Sequence, residues 1–245
     1  MSREALSAVV STVQDYVRYL QRLGMTEFPM GRVAAAAVPP VAGLLPAVAD
    51  GQPPVTTAEV PAALRLQQLA ERFHDCRQCR LHQGRKQVVF GTGDPQAALV
   101  FVGEAPGEEE DRQGEPFVGA AGQLLNRIIE AIGLRRNQVY LLNVVKCRPP
   151  GNRNPLPDEL AACRPILEAE LACLKPQVVC ALGNFAAQAL LQTEERISRL
   201  RGRFHTLGDI QVMPTYHPAY ILRNPQSKRA VWDDMQHIQR ALGLR

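Results

Sequence analysis

Short apolar runs alternate with helical segments from residue 97 onward. Residues 97–102, 139–145, 177–182 and 210–215 are apolar with little alternation, the pattern of strands buried on both faces. Residues 119–132, 157–174, 184–191 and 227–242 read as the helices that separate and follow them. Strands and helices taking turns predict an α/β fold: a three-layer α/β/α sandwich around a central, mainly parallel four-stranded sheet. Ligands of such sheets bind beyond the carboxyl ends of the strands. There the chain carries Gly103-Glu104-Ala105-Pro106-Gly107, residues 143–150, Gly183-Asn184 and Tyr216-His217-Pro218.

The first quarter of the chain is patterned differently. Ala5, Val9, Val10, Val13, Tyr16, Val17, Leu20 and Leu23 recur at three- and four-residue intervals and stop at Gly24, which predicts one amphipathic helix. Beyond it the composition turns to Ala, Val, Pro and Gly, with Pro39-Pro40 and Pro53-Pro54 and no periodicity, as in a linker. The chain is thus expected to divide into a helical segment over 1–25, a linker over 26–61 and a domain over 62–245. The helix either packs on that domain or serves as a tethered docking element for a partner.

Composition narrows the setting. A hydrophobic content of 46% in 245 residues is enough for a globular core. No apolar run approaches the roughly 20 residues of a spanning helix, and no secretory signal opens the chain. A reducing, cytoplasmic compartment is therefore expected, where six cysteines speak for metal or cluster ligation before disulfides. The net charge of +4 is unevenly placed: residues 1–60 hold four Lys/Arg against five Asp/Glu, leaving an excess of +5 over the remainder. That excess alone is weak evidence for nucleic-acid binding, although Arg199, Arg201 and Arg203 concentrate it locally.

Four cysteines stand out by position. Cys76 and Cys79 form a Cys-x-x-Cys pair, Cys147 follows a predicted strand and Cys163 lies on a predicted helix. This set suits either a four-thiolate zinc site or an iron–sulfur cluster, and its dispersal over strand end and helix leans toward the larger group. Cys173 and Cys180 lie on apolar stretches and read as core. The Gly-rich turn at 103–107 lacks the Lys-Ser/Thr ending of a P-loop and the spacing of a dinucleotide fingerprint. The acidic run Glu108-Glu109-Glu110-Asp111 reads as surface, loop capping and one or two functional carboxylates. His217, after the last strand, faces the same rim as Glu104 and Asn143.

Taken together, Gly103-Glu104-Ala105-Pro106-Gly107, Gly114-Glu115-Pro116-Phe117-Val118-Gly119, Asn143-Val144-Val145-Lys146-Cys147-Arg148-Pro149-Pro150, His217-Pro218-Ala219-Tyr220 and the four cysteines resemble the bacterial and archaeal family 4 uracil-DNA glycosylases. The resemblance runs from about residue 65 to residue 243 and leaves the first 60 residues uncovered. It implies a [4Fe-4S] cluster on Cys76, Cys79, Cys147 and Cys163, and cleavage of the bond between uracil and deoxyribose in DNA, starting base excision repair. It also implies that the base is flipped out of the stack. Phe117 would stack on the extruded pyrimidine, and Asn143 would bond N3–H and O4 of uracil, an edge whose polarity cytosine reverses. His217 would donate to O2 as the base leaves as an anion. Relatives of another family carry Asp where Ala105 lines the pocket here, so Glu104 and Glu110 become the candidate carboxylates, Glu110 also as a wall against the thymine methyl. Asn152 matches a further family position.

Lys146, Arg148, Arg153, Arg199, Arg201, Arg203 and Arg223 are the candidate DNA contacts, since phosphate neutralisation dominates affinity. Residues 220–223 are placed to wedge into the duplex. The expected partners are uracil-containing DNA, bound by a monomer that joins the nucleoid during repair, and a repair or replication protein on the amino-terminal helix. Two other readings are a non-catalytic iron–sulfur repair scaffold and a covalent uracil-DNA-trapping relative. Retention of Phe117, Asn143 and His217 opposes the first. Ala105 and the short 203–206 loop oppose the second, whose family carries Gln and a basic insertion there.

Overall fold

The computed structural model describes residues 60–244. The expected amino-terminal helix and nearly all of the expected linker lie outside them. A helix, α1 (Ala62–Phe73), opens the described region, and the strands β1 (Thr92–Gly93), β2 (Leu99–Gly103), β3 (Tyr140–Asn143), β4 (Val178–Leu182), β5 (His205–Leu207) and β6 (Ile210–Thr215) form one sheet in the order β1-β3-β2-β4-β6-β5. The four central strands are parallel, as expected. Two short antiparallel edge strands, β1 and β5, extend the expected four to six.

The remaining helices are α2 (Glu108–Gln113), α3 (Ala120–Ala131), α4 (Pro157–Leu174), α5 (Asn184–Leu191), α6 (Ile197–Leu200), α7 (Pro218–Arg223) and α8 (Lys228–Ala241). Alternate residues of a strand face opposite sides, and the core divides accordingly. Val100, Val102, Leu142, Val179 and Ala181 point to one side, against Leu66 of α1, Leu167 and Leu171 of α4 and Leu190 of α5. Leu99, Phe101, Leu141, Cys180 and Met213 point to the other, against Leu125 and Ile129 of α3 and Met235 and Ile238 of α8. Both faces are covered, which gives the three layers and explains the continuous apolar strands.

Local signals set the helix starts. In α4, Pro157 occupies the first turn and Glu159 reaches back to accept from the Leu156 N–H at 2.8 Å. The acidic run becomes the short helix α2 rather than a plain surface loop, with all four carboxylates in the first turn where the helix dipole favours them. Pairing of β2 with β3 continues past the strand ends: the Val144 and Val145 N–H groups donate to the Gly103 and Glu104 carbonyls at 2.9 and 3.0 Å. The turns after β2 and β3 are therefore fixed side by side at the carboxyl rim.

Candidate active site

The carboxyl ends of β2, β3 and β6 bring together Glu104, Phe117, Asn143 and His217. Gly103, the last residue of β2, forms the floor. A Cβ built there would stand 2.4 Å from Asn143 Oδ1 and 2.5 Å from Phe117 Cζ, so both side chains press on its bare backbone. Phe117 is buried with φ +58°, a conformation that costs a bulky residue about 1–3 kcal/mol. Two features hold it there. Arg136 donates to the carbonyls of Pro116 (2.7 Å) and Phe117 (3.1 Å), and to Asn126 Oδ1 (3.1 Å). On the other side the Phe117 carbonyl lies against Gly122 of α3, where any side chain would collide with it.

Asn143 is buried, yet no donor or acceptor among the described residues bonds its side-chain amide. His217 follows β6 with its ring centroid 6.1 Å from that of Phe117 and the two planes 30° apart. Its Nδ1 accepts from the Ala219 N–H at 3.1 Å, which leaves the proton of the neutral ring on Nε2. Burial, reinforced by the nearby Arg223, pushes the imidazolium pKa down to about 4. The ring is therefore a neutral hydrogen-bond donor at physiological pH, the form suited to stabilising a developing anion. Burial also pushes the Glu104 carboxyl up to about 7, and no cation or N–H among the described residues pairs with it.

Several expectations change. Glu110 is fully engaged in structure: Oε2 accepts from the Gly107 N–H (3.1 Å), and Oε1 from Val118 (3.1 Å) and Gly119 (2.9 Å). With three N–H groups bonded to its two oxygens it clamps the two turns together. Lys146 is no DNA contact, because its side chain is 1% exposed and ion-paired with Glu170. Arg201 is held by Asp234 (2.9 and 3.1 Å), which also accepts from the Thr215 hydroxyl at 2.6 Å. That guanidinium, lying over the Tyr216 ring, joins α8 to β6 instead of reaching for phosphate. Arg153 is tied bidentately to Glu159 at 2.6 and 2.8 Å. Asn152 is exposed and accepts from Arg148 at 2.7 Å, while Arg148 also pairs with Glu108.

Arg199, Arg203 and Arg223 remain exposed, with no carboxylate partner among the described residues. The β5–β6 register pairs His205 with Val212. Continued antiparallel, it sets residues 201–203 beside residues 214–216, on the same rim as His217. Leu222 and Tyr220 of α7 are also exposed there, with Tyr220 stacked on Tyr216 at 5.0 Å.

The four cysteines lie within one another's electrostatic reach. Cys147 feels the charges of Cys79 and Cys76, and Cys163 those of Cys147 and Cys79. Burial raises the Cys147 pKa and pushes that of Cys163 up to about 11. The Arg85 guanidinium donates to Cys147 Sγ at 3.2 Å, and the Lys146 N–H faces Cys163. No three His, Cys, Asp or Glu side chains among the described residues are drawn together as the ligands of a single ion would be.

Sequence reasoning missed Arg136, Gly103, Gly122 and Glu170. The two glycines were visible only as letters in Gly-rich stretches, and Arg136 and Glu170 gave no local signal.

Fold and rim define an α/β protein that gathers an aromatic ring, a carboxamide and a neutral imidazole at the carboxyl ends of its strands. A profile of the Uracil DNA glycosylase superfamily matches residues 90–236, and the chain belongs to that superfamily. Within it the chain belongs with the type-4 uracil-DNA glycosylases. It is 41% identical to the Type-4 uracil-DNA glycosylase of Saccharolobus solfataricus, over 71% of this chain and 85% of the relative. It is likewise 41% identical to that of Archaeoglobus fulgidus (73% and 94% covered) and 45% identical to that of Thermotoga maritima (69% and 90%).

Proposed function

We propose that this protein is a DNA N-glycosylase that flips uracil out of single- or double-stranded DNA and hydrolyses its N-glycosidic bond, leaving an abasic site. The observation that carries the reading is the gathering of the Asn143 carboxamide, the Phe117 ring and the neutral His217 at one rim. Asn143 offers a donor and an acceptor to the O4 and N3–H edge of uracil; the same pair meets cytosine with the wrong polarity. As the glycosidic bond breaks, electrons move to the base, and the charge on O2 is met by His217 Nε2–H. The sugar becomes cationic, and the Glu104 carboxylate is the group nearest this rim that can compensate it or orient the attacking water. Arg199, Arg203 and Arg223 would neutralise backbone phosphates.

In the same reading Cys76, Cys79, Cys147 and Cys163 hold a [4Fe-4S] cluster. When bound, its four thiolates leave no open position for substrate, so its contribution is to tie the strand end at Cys147 and the helix at Cys163 to the Cys76–Cys79 segment. The donor set, the hydrogen bond from Arg85 to Cys147, and the type-4 relatives support this. Residues 1–25 would dock a repair or replication protein, and the chain would act as a cytoplasmic monomer.

The test is a uracil-containing oligonucleotide incubated with the protein and then treated with alkali. Strand breakage at the uracil is expected, and is lost in His217→Ala and Asn143→Ala. Absence of breakage from protein with intact cluster absorbance would refute the activity. One zinc and no iron in the purified protein would refute the cluster.

A further inference from the structure

Lys146 is among the most deeply buried polar residues of the domain, and every polar group it carries is used. Its Nζ donates to the Asn143 carbonyl at 2.6 Å and pairs with Glu170 of α4, itself 1% exposed. Its N–H faces Cys163, and its carbonyl accepts from the Val89 N–H at 2.8 Å. Glu170 in turn accepts from the Gly91 N–H at 3.2 Å, while the Gly91 carbonyl accepts from the Tyr140 hydroxyl at 2.9 Å.

A buried ion pair seldom stabilises a fold more than apolar residues of the same size would. Its location supplies a different reason. Edge strand β1 pairs with β3 only as far as Thr92 opposite Leu141, so the Asn143 carbonyl lies past the end of that pairing. Lys146 Nζ supplies the hydrogen bond that a longer edge strand would have supplied. The peptide at Asn143 is thereby fixed on one side by the continuing β2 pairing and on the other by Lys146.

We propose that the Lys146–Glu170 pair is a positioning device for the base-reading carboxamide: by holding the Asn143 carbonyl it sets where the side-chain amide is presented. The inference rests on the reading of Asn143 as the group that binds uracil. It also explains the placement of Lys146 between Asn143 and Cys147, since one short segment carries the amide, its brace and a cysteine.

The test replaces both members with apolar residues of similar length, Lys146→Met with Glu170→Met, in the full chain. Removing both leaves no unpaired buried charge, so melting temperature and visible cluster absorbance are expected to stay close to wild type. Affinity for free uracil, measured calorimetrically, is expected to weaken about tenfold, and kcat/KM on a uracil oligonucleotide to fall by about 10- to 100-fold, as for small misplacements of reacting groups. Single Lys146→Met should lose uracil affinity to the same degree and, with Glu170 left unpaired, stability as well. A double variant with wild-type uracil affinity and kcat/KM overturns the inference, and so does one that loses its fold or cluster, since the pair would then be structural only. If wild-type protein itself releases no uracil, the glycosylase reading fails instead, which separates the two outcomes.

Discussion

Gly103→Ala adds one methyl group to the floor of the pocket and changes nothing else nearby. Gly103 ends a strand without positive φ, so alanine fits the backbone. The new Cβ, however, would sit 2.4 Å from Asn143 Oδ1 and 2.5 Å from Phe117 Cζ. Ordinary contact begins near 3.5 Å, so one or both groups must retreat by about 1 Å. Phe117 has little room, because Arg136 and Gly122 confine its backbone. The Asn143 amide, without a protein partner, gives way first. Overpacking of this kind costs about 1–3 kcal/mol of stability. A displacement near 1 Å in a positioning group costs about 100-fold in rate, or about 2.7 kcal/mol in the transition state. The expected result is a folded protein whose kcat/KM on a uracil oligonucleotide falls about 100-fold while its melting temperature drops by a few degrees. Wild-type kcat/KM in folded Gly103→Ala would refute the account of the pocket, since no arrangement with Asn143 and Phe117 against Gly103 could accept the methyl unchanged.

Glu104 predicts a pH dependence. With its pKa at about 7, kcat/KM should rise with pH through neutrality as the carboxylate forms, and Glu104→Gln should flatten that limb. Because the folded pKa lies above the unfolded value of 4.5, this group favours the fold fully below pH 4.5, and the benefit fades as pH rises through 7. Melting curves of wild type and Glu104→Gln at pH 5 and 8 should therefore diverge in that direction, and equal pH dependence would contradict it. Arg136→Ala removes three hydrogen bonds from the segment around Phe117. A loss of about 2–3 kcal/mol in urea unfolding and a lower kcat/KM are expected, and Arg136→Lys, lacking the fork, should rescue little. Arg199→Ala and Arg203→Ala should each reduce the salt slope of DNA binding by about one without altering the melting temperature. Arg201→Ala should instead lower the melting temperature, by breaking the Asp234 pair.

The central strands and the long helices were legible because their signals are local and repeated. Residues 157–174, 184–191 and 210–215 were bounded correctly, two by a Pro or Asn at the start and the last by its apolar residues Ile210, Val212 and Met213 ahead of the Tyr216-His217-Pro218 turn. The edge strands β1 and β5 were not legible, being two and three residues long with no alternating run to mark them. Helix α1 escaped because its apolar positions, Leu66, Leu69 and Phe73, directly follow the featureless linker. Phe117, Asn143 and His217 could be picked out from their motifs and from the rule that sites gather at strand ends. The roles of Lys146 and Arg201 could not. A basic residue in a basic stretch reads as exposed, and only the fold brings Glu170 and Asp234, 24 and 33 positions away, within bonding distance. Glu110 was half legible: a Glu three residues after a helix start has capping spacing, but its reach to Val118 and Gly119 depends on the return of the chain.

That reach has a mechanical consequence. One carboxylate gripping three N–H groups welds the 103–107 and 114–119 turns into a single stiff wall. A receptor built this way does not mould itself to its guest. The work of adaptation falls on the nucleic acid, which must unstack and rotate a nucleotide until it matches a fixed mould. Scanning then becomes a contest among bases in which the most loosely held one is tried first. A lesion that weakens its own pairing advertises itself to the wall before any hydrogen bond to the base has formed.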